Sequence, residues 1–190
     1  TLPFGYVNKI EVPALPTEPV LDGNLSDPQW QQAAVVDDFR LLGSMSPATV
    51  KTEVRLFRAN GHLYVAFTCH EPQLGRLAER YRERDALVWE DDVVEVRLAP
   101  GIAAADVSRY PFYCFMVNPN GTQHDQLNIP WDVSPTAAEA VLGKEWKTAV
   151  SGSTWNAKWL VKTTKGQGVW SVEMKIPLAE MHGLGKPVWR

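Results

Sequence analysis

The sequence has no surplus of positive charge: 19 Lys and Arg stand against 22 Asp and Glu, for a formal net charge of −3. Neutralising phosphates requires clustered cations, so a nucleic-acid partner is excluded. Cysteine is scarce. Cys69 and Cys114 are too few for a disulfide scaffold and have no metal-ligand spacing. They read either as two interior thiols or as one bridge between strands, which would need an oxidising compartment. No apolar run approaches the ~20 residues that cross a bilayer, so no membrane span is expected. GxSxG, HExxH, CxxC and Walker patterns are all missing. The neighbouring pairs Asp37–Asp38 and Asp91–Asp92 point to opposite faces of a strand. They cannot face each other across a sugar at roughly 5–9.5 Å, as glycosidase carboxylates do, so no enzyme is expected. The chain opens on Thr1-Leu2-Pro3 without Met, as expected of a processed or excised product.

What the sequence does have is ordinary globular composition, with 45% hydrophobic and 22% charged residues, and eight tryptophans. Eight indoles exceed what one small core needs, so some are candidates for surface work. Pro3, Pro13, Pro16 and Pro19 suit an extended N-terminal arm over residues 1–19 and forbid a helix there. From Val50 the hydrophobic period becomes two. Strands are expected over 50–57, 63–69, 93–98, 110–118, 146–150, 157–164 and 169–176, with a turn at Asn60-Gly61. Residues 74–86 read as a charged helix or a solvated loop. Many short strands between turn signals predict an all-β fold: an antiparallel β-sandwich of two sheets, of the immunoglobulin-sandwich type, over residues 20–190.

The most informative stretch is Trp89-Glu90-Asp91-Asp92-Val93-Val94-Glu95-Val96-Arg97-Leu98. Trp89 stands among charges just before a strand, where a purely structural indole would be poorly covered. Alternation puts Glu95 and Arg97 opposite Val94, Val96 and Leu98, and puts Met116 and Asn118 on one face of the neighbouring strand. An exposed indole beside carboxylate, guanidinium and amide groups can stack a pyranose and bond its hydroxyls. A core Trp beside a solvated acidic face fits the same pattern, and periodicity leaves both readings open. Trp131, in the loop Asn128-Ile129-Pro130-Trp131-Asp132, is a further candidate for a ligand wall.

Five segments in order resemble family 9 carbohydrate-binding modules and their DOMON-like relatives. These are Asp22-Gly23-Asn24-Leu25-Ser26-Asp27-Pro28-Gln29-Trp30, Gly61 to Ala66, Trp89 to Glu95, Phe115 to Gly121 and Trp170 to Pro177. The resemblance implies a non-catalytic glycan-binding β-sandwich, secreted or surface-borne, hence extracellular or periplasmic. It implies stacking by Trp89 and hydroxyl contacts from Glu95 and Asn118. Met116 stands where the characterised sugar binders carry Arg. Their second stacking Trp follows further strands, so the resemblance also implies one or two strands beyond Arg190. Structural calcium is a family feature, and Asp22, Asp27 and Asp125 are the nearest carboxylates. Two rival functions follow from the same resemblance. One is an accessory or interaction domain of a larger multidomain secreted protein, without sugar binding. The other is haem-based electron transfer with ligands among Met116, His70 and His124.

Overall fold

The computed structural model describes residues 10–41, 43, 44, 46–102, 109–144, 146–148, 152 and 154–181. Half of the expected arm (1–9), the end of the strand expected at 146–150, His182 and Trp189 lie outside these residues. Among the described residues, eight strands form two antiparallel sheets. The larger has the order β1 (Ala34–Val36), β2 (Thr52–Ala59), β3 (His62–His70), β8 (Val169–Pro177), β7 (Leu160–Gly166). The smaller is β4 (Val94–Leu98), β5 (Phe112–Val117), β6 (Gln123–Asn128). A short helix, α1 (Pro28–Gln31), precedes β1, and α2 (Pro135–Leu142) follows β6. The molecule is therefore an all-β, two-sheet antiparallel fold, as the spacing predicts.

Turn chemistry sets the register of the central hairpin. Asn60 and Gly61 have φ of 45° and 77°. Positive φ at both central positions is what a type I′ turn demands, and its twist matches that of the flanking strands. Val54, Leu56, Val65 and Phe67 then meet Val172, Met174 and Ile176 on one face of the large sheet. That face packs against Tyr113, Phe115, Val117 and Leu127 of the small sheet. Trp155, Trp159 and Trp170 complete the core. The Trp155 ring lies 4.8 Å from that of Tyr113.

The opposite face of the large sheet is also covered. Trp30, Phe57 and Tyr64 form a second cluster, with Phe57 and Tyr64 stacked at 4.9 Å. Its anchor is Glu173 on β8, which is fully buried. The Glu173 carboxylate accepts from Trp30 Nε1 at 2.8 Å, Gly23 N at 2.7 Å and Asp22 N at 3.0 Å. Here lies the physical content of the Asp22-to-Trp30 segment: it wraps a buried carboxylate and closes the sheet. Gly23 has φ of 89°, and a Cβ there would lie 2.6 Å from Thr164 Cγ2. Only glycine fits that approach.

Several local expectations are corrected. Trp146–Thr148 form a 3-10 turn rather than the start of a strand. The strand expected at 157 begins at Leu160, because Ala157 and Trp159 first turn into the core. Strands β1 and β6 and helix α2 were not anticipated. Ser134 caps α2, its hydroxyl accepting from Ala137 N at 3.2 Å, with Pro135 in the first turn. The segment 74–86 is irregular apart from one 3-10 turn at Leu74–Arg76. Both cysteines are free thiols. Cys69 packs against the main core from β3, while Cys114 lies on the outer face of the other sheet, so the bridge reading is wrong.

Candidate functional site

The outward face of the small sheet is built in cross-strand rows. Glu95, Met116 and His124 pair across the first row, Arg97, Cys114 and Gln126 across the second, and Phe112 and Asn128 across the third. Directly opposed residues share a face, so these side chains form one surface. Val88 packs onto Cys114 and Met116. Beside it, the Trp89 indole stands edge-on to the His124 ring, with centroids 5.1 Å apart. Trp89 remains 49% exposed, whereas His124 is buried beneath it. Neither His124 ring nitrogen has a hydrogen-bond partner. The nearest carboxylate is that of Asp85, 3.8 Å from Nδ1.

The acidic run after Trp89 holds this platform in place. Asp91 Oδ2 accepts from Tyr81 N and from Asn118 Nδ2, both at 3.0 Å, and Oδ1 accepts from Arg80 Nε at 3.2 Å. Asp92 Oδ2 accepts from Ala78 N at 2.7 Å, and the Tyr81 hydroxyl donates to Glu90 Oε2 at 2.6 Å. The three acids therefore tie residues 78–81 to the turn that presents Trp89. Asn118 belongs to the same scaffold. Its Nδ2 donates to Tyr81 O at 2.8 Å as well as to Asp91, and its Oδ1 accepts from Asn120 N and Thr122 N. An Asn amide has two donors and two acceptor positions, and all four are used. Asn118, for which the resemblance implies a hydroxyl contact, is fully buried.

Glu95 and Arg97 do share that face. Arg97 Nε donates to Glu95 Oε1 at 2.5 Å and Nη2 donates to Oε2 at 3.0 Å. The Cys114 thiol donates to the same Oε1 at 2.8 Å. Burial, aided by the Glu95 charge, raises the Cys114 pKa and keeps the thiol protonated. One acceptor position on Glu95 stays open. The Arg97 guanidinium lies 5.3 Å from the Phe112 ring centre. Gln126 and Asn128 are half-buried on this surface. Their side-chain amides have no hydrogen bond within the described chain. Reading the sequence missed these two residues, because β6 carries no apolar alternation to reveal it. Trp131, 96% exposed, follows β6 in a turn closed by Val133 N donating to Pro130 O at 3.1 Å. Trp89 stands beside His124 near the start of β6, and Trp131 comes three residues after its end.

The expected metal and haem ligands are not assembled. Asp125 is buried on the core side of β6 and is engaged by Arg84, by Ala157 N at 2.6 Å and by Trp159 Nε1 at 3.1 Å. Asp27 accepts from Val20 N, and Asp22 from Asn24 N, both at 2.7 Å on the far side of the large sheet. Asp125 thus lies apart from Asp22 and Asp27, and no three His, Cys, Asp or Glu side chains group to hold a metal among the described residues. Met116 and His124 are side-by-side register partners, and His70 is on the other sheet.

The scaffold is sensitive to acid in a defined direction. Burial pushes the Asp91 carboxyl up, but the backbone N–H groups of Tyr81 and Arg80, with Asn118 and the Arg80 guanidinium, bring it down to about 2. A depressed carboxyl stabilises above its unfolded value, and that stability is lost as pH falls through the folded one. Asp125 and Glu173 are shifted the other way, upward, chiefly by burial. Their protonation favours the folded state as pH drops toward the ordinary carboxylate range. The Trp89 platform is thus expected to persist in mild acid and to loosen only between about pH 4 and pH 2. Tryptophan fluorescence across that range checks this. Loosening centred above pH 5 would contradict it.

A family model described as carbohydrate family 9 binding domain-like matches residues 21–188. No curated protein sequence matches the chain. Among solved structures, it resembles a family 9 carbohydrate-binding module from Caldicellulosiruptor kristjanssonii in complex with glucose. That likeness has a TM-score of 0.54 and 16% identity, covering 90% of this chain and 69% of that one. The module from the same organism in complex with cellotriose gives 0.53 and 15%, covering 90% and 68%. A candidate carbohydrate-binding protein from Bacteroides uniformis gives 0.59 and 16%, covering 89% and 72%. At such identities these likenesses establish the fold.

Proposed function

The chain belongs to the carbohydrate family 9 binding domain-like family, and from that premise we propose that it is a non-catalytic module binding a neutral glycan on the outer face of the small sheet. The observation that carries this reading is Trp89, half-exposed and held against His124, at the end of a row of unpartnered amides. The indole offers an apolar platform for a pyranose face, and Gln126 and Asn128 offer donors and acceptors to hydroxyls. Glu95 keeps one acceptor position, and Arg97 is neutralised by Glu95 in a two-point pair. The face therefore carries little net charge, which suits a neutral sugar better than an acidic one. The glucose and cellotriose held by the Caldicellulosiruptor modules support a β-glucan as the first ligand to try. An extracellular or periplasmic location, and a place within a larger protein, go with this reading.

The amides provide a direct test. Replacing Gln126 and Asn128 together by Ala removes hydroxyl partners without touching the core. In affinity electrophoresis through soluble β-glucan, xylan and mannan gels, the double variant should lose most of the retardation that the unmodified protein shows. Equal retardation of the two proteins would remove the amides from the site.

A further inference from the structure

We propose that His124 is a specificity-determining contact of the glycan site. Trp89 covers it in the free protein, and a sugar hydroxyl pairs with one of its ring nitrogens in the bound one. The inference rests on the glycan reading above and adds a polar contact hidden beneath the platform.

Packing does not account for an imidazole at this position. His124 is 1% exposed, and neither Nδ1 nor Nε2 has a hydrogen-bond partner within the described chain. A neutral imidazole carries one donor and one acceptor, and burying either without a partner costs stability. Phe would give Trp89 a ring to stand against at no such cost. The neighbours do not supply what the ring lacks. The Asp85 carboxylate stands 3.8 Å from Nδ1, beyond hydrogen-bond reach, and its Oδ1 accepts from Asp125 N at 3.4 Å. Met116, the register partner on β5, brings only a thioether, and Glu95 in the same row is taken by Arg97 and Cys114. A buried polar group left unpaired is uncommon in folded proteins, and here it lies directly under the proposed ligand platform.

The cover is not tied down by its own ring. Within the described chain the Trp89 indole has its ring contact with His124 and no hydrogen bond. Its turn is held instead by Asp91, Asp92 and Asn118. Turning the indole about its side-chain torsions therefore breaks no hydrogen bond. It uncovers an imidazole on the same face as Gln126, two residues along β6, and Asn128, four along. A sugar hydroxyl both donates and accepts, so it satisfies whichever ring nitrogen it meets. The ligand class this selects is a neutral pyranose with a free hydroxyl beside the face that stacks on Trp89.

His124→Phe keeps an aromatic ring under Trp89 and removes both nitrogens. Calorimetric titration uses an oligosaccharide of whichever glycan, β-glucan, xylan or mannan, retards the unmodified protein. Affinity should be about tenfold lower in the variant, as expected for one lost hydrogen bond. Its melting temperature should be equal or higher, since no buried nitrogen is left unpaired. In isotope-labelled unmodified protein, saturating ligand should move one His124 ring-nitrogen resonance much farther than the ring-carbon resonances. A hydrogen bond does that, whereas a displaced indole ring current shifts both alike, and this readout decides even where the variant fails to fold. Full affinity in His124→Phe, or ring nitrogens that stay in place at saturation, would overturn the role of His124 while leaving glycan binding intact. No binding of any sugar by the unmodified protein would overturn both readings.

Discussion

Replacing Glu173 by Ala is expected to leave the protein largely unfolded at room temperature. Trp30 Nε1, Gly23 N and Asp22 N all donate to this carboxylate, and the first two bonds are buried. Removing the acceptor strands these donors, at a cost of about 1–3 kcal/mol for each buried one. The lost contacts also release residues 22–30 from the outer face of the large sheet, exposing Phe57 and Tyr64. Several kcal/mol is a large share of the 5–15 kcal/mol that typically holds a domain together. Glu173→Gln should fall between, since it keeps one oxygen but turns an NH2 group toward the same donors. Urea denaturation followed by tryptophan fluorescence gives the ranking. A Glu173→Ala variant within about 1 kcal/mol of the parent would show that the segment is held by packing alone.

The second large effect is on binding. Trp89→Ala should reduce glycan affinity at least tenfold, and below detection for short oligosaccharides, because stacking indoles dominate sites of this kind. The fold should hardly notice. Trp89 is half-exposed, and the turn carrying it is secured by Asp91, Asp92 and Asn118 rather than by its own ring. The expected loss of stability is about 1 kcal/mol. Trp89→Phe, which keeps a smaller aromatic face, should retain part of the affinity.

These two residues mark what the sequence allows to be read and what it hides. Strands β2, β3, β4, β5 and β8 are legible because apolar residues alternate and Asn60-Gly61 punctuates the hairpin. Strand β6 is not, since His124, Gln126 and Asn128 point outward while Gln123 and Asp125 point inward. Asp125 can be buried only because Arg84 and Trp159, distant in sequence, supply its partners. The same limit applies to the acids after Trp89. Their pattern marks a conspicuous segment, but their partners are Ala78 N, Tyr81 and Asn118, which local spacing cannot reveal. The resemblance implies a ligand contact for Asn118, and in three dimensions its amide bonds Tyr81 O and Asp91, which secure the turn that carries Trp89. The eight-residue α2 had a Ser134-Pro135 start signal, yet it is too short to stand out by periodicity.

The most direct test of glycan binding at Trp89 is affinity electrophoresis of the unmodified protein and Trp89→Ala, side by side, through gels containing soluble β-glucan, xylan or mannan. The unmodified protein should be retarded in at least one gel, and Trp89→Ala should run free in that gel while melting within a few degrees of the parent. Absence of retardation of the unmodified protein in every gel, or equal retardation of the two proteins, would contradict it.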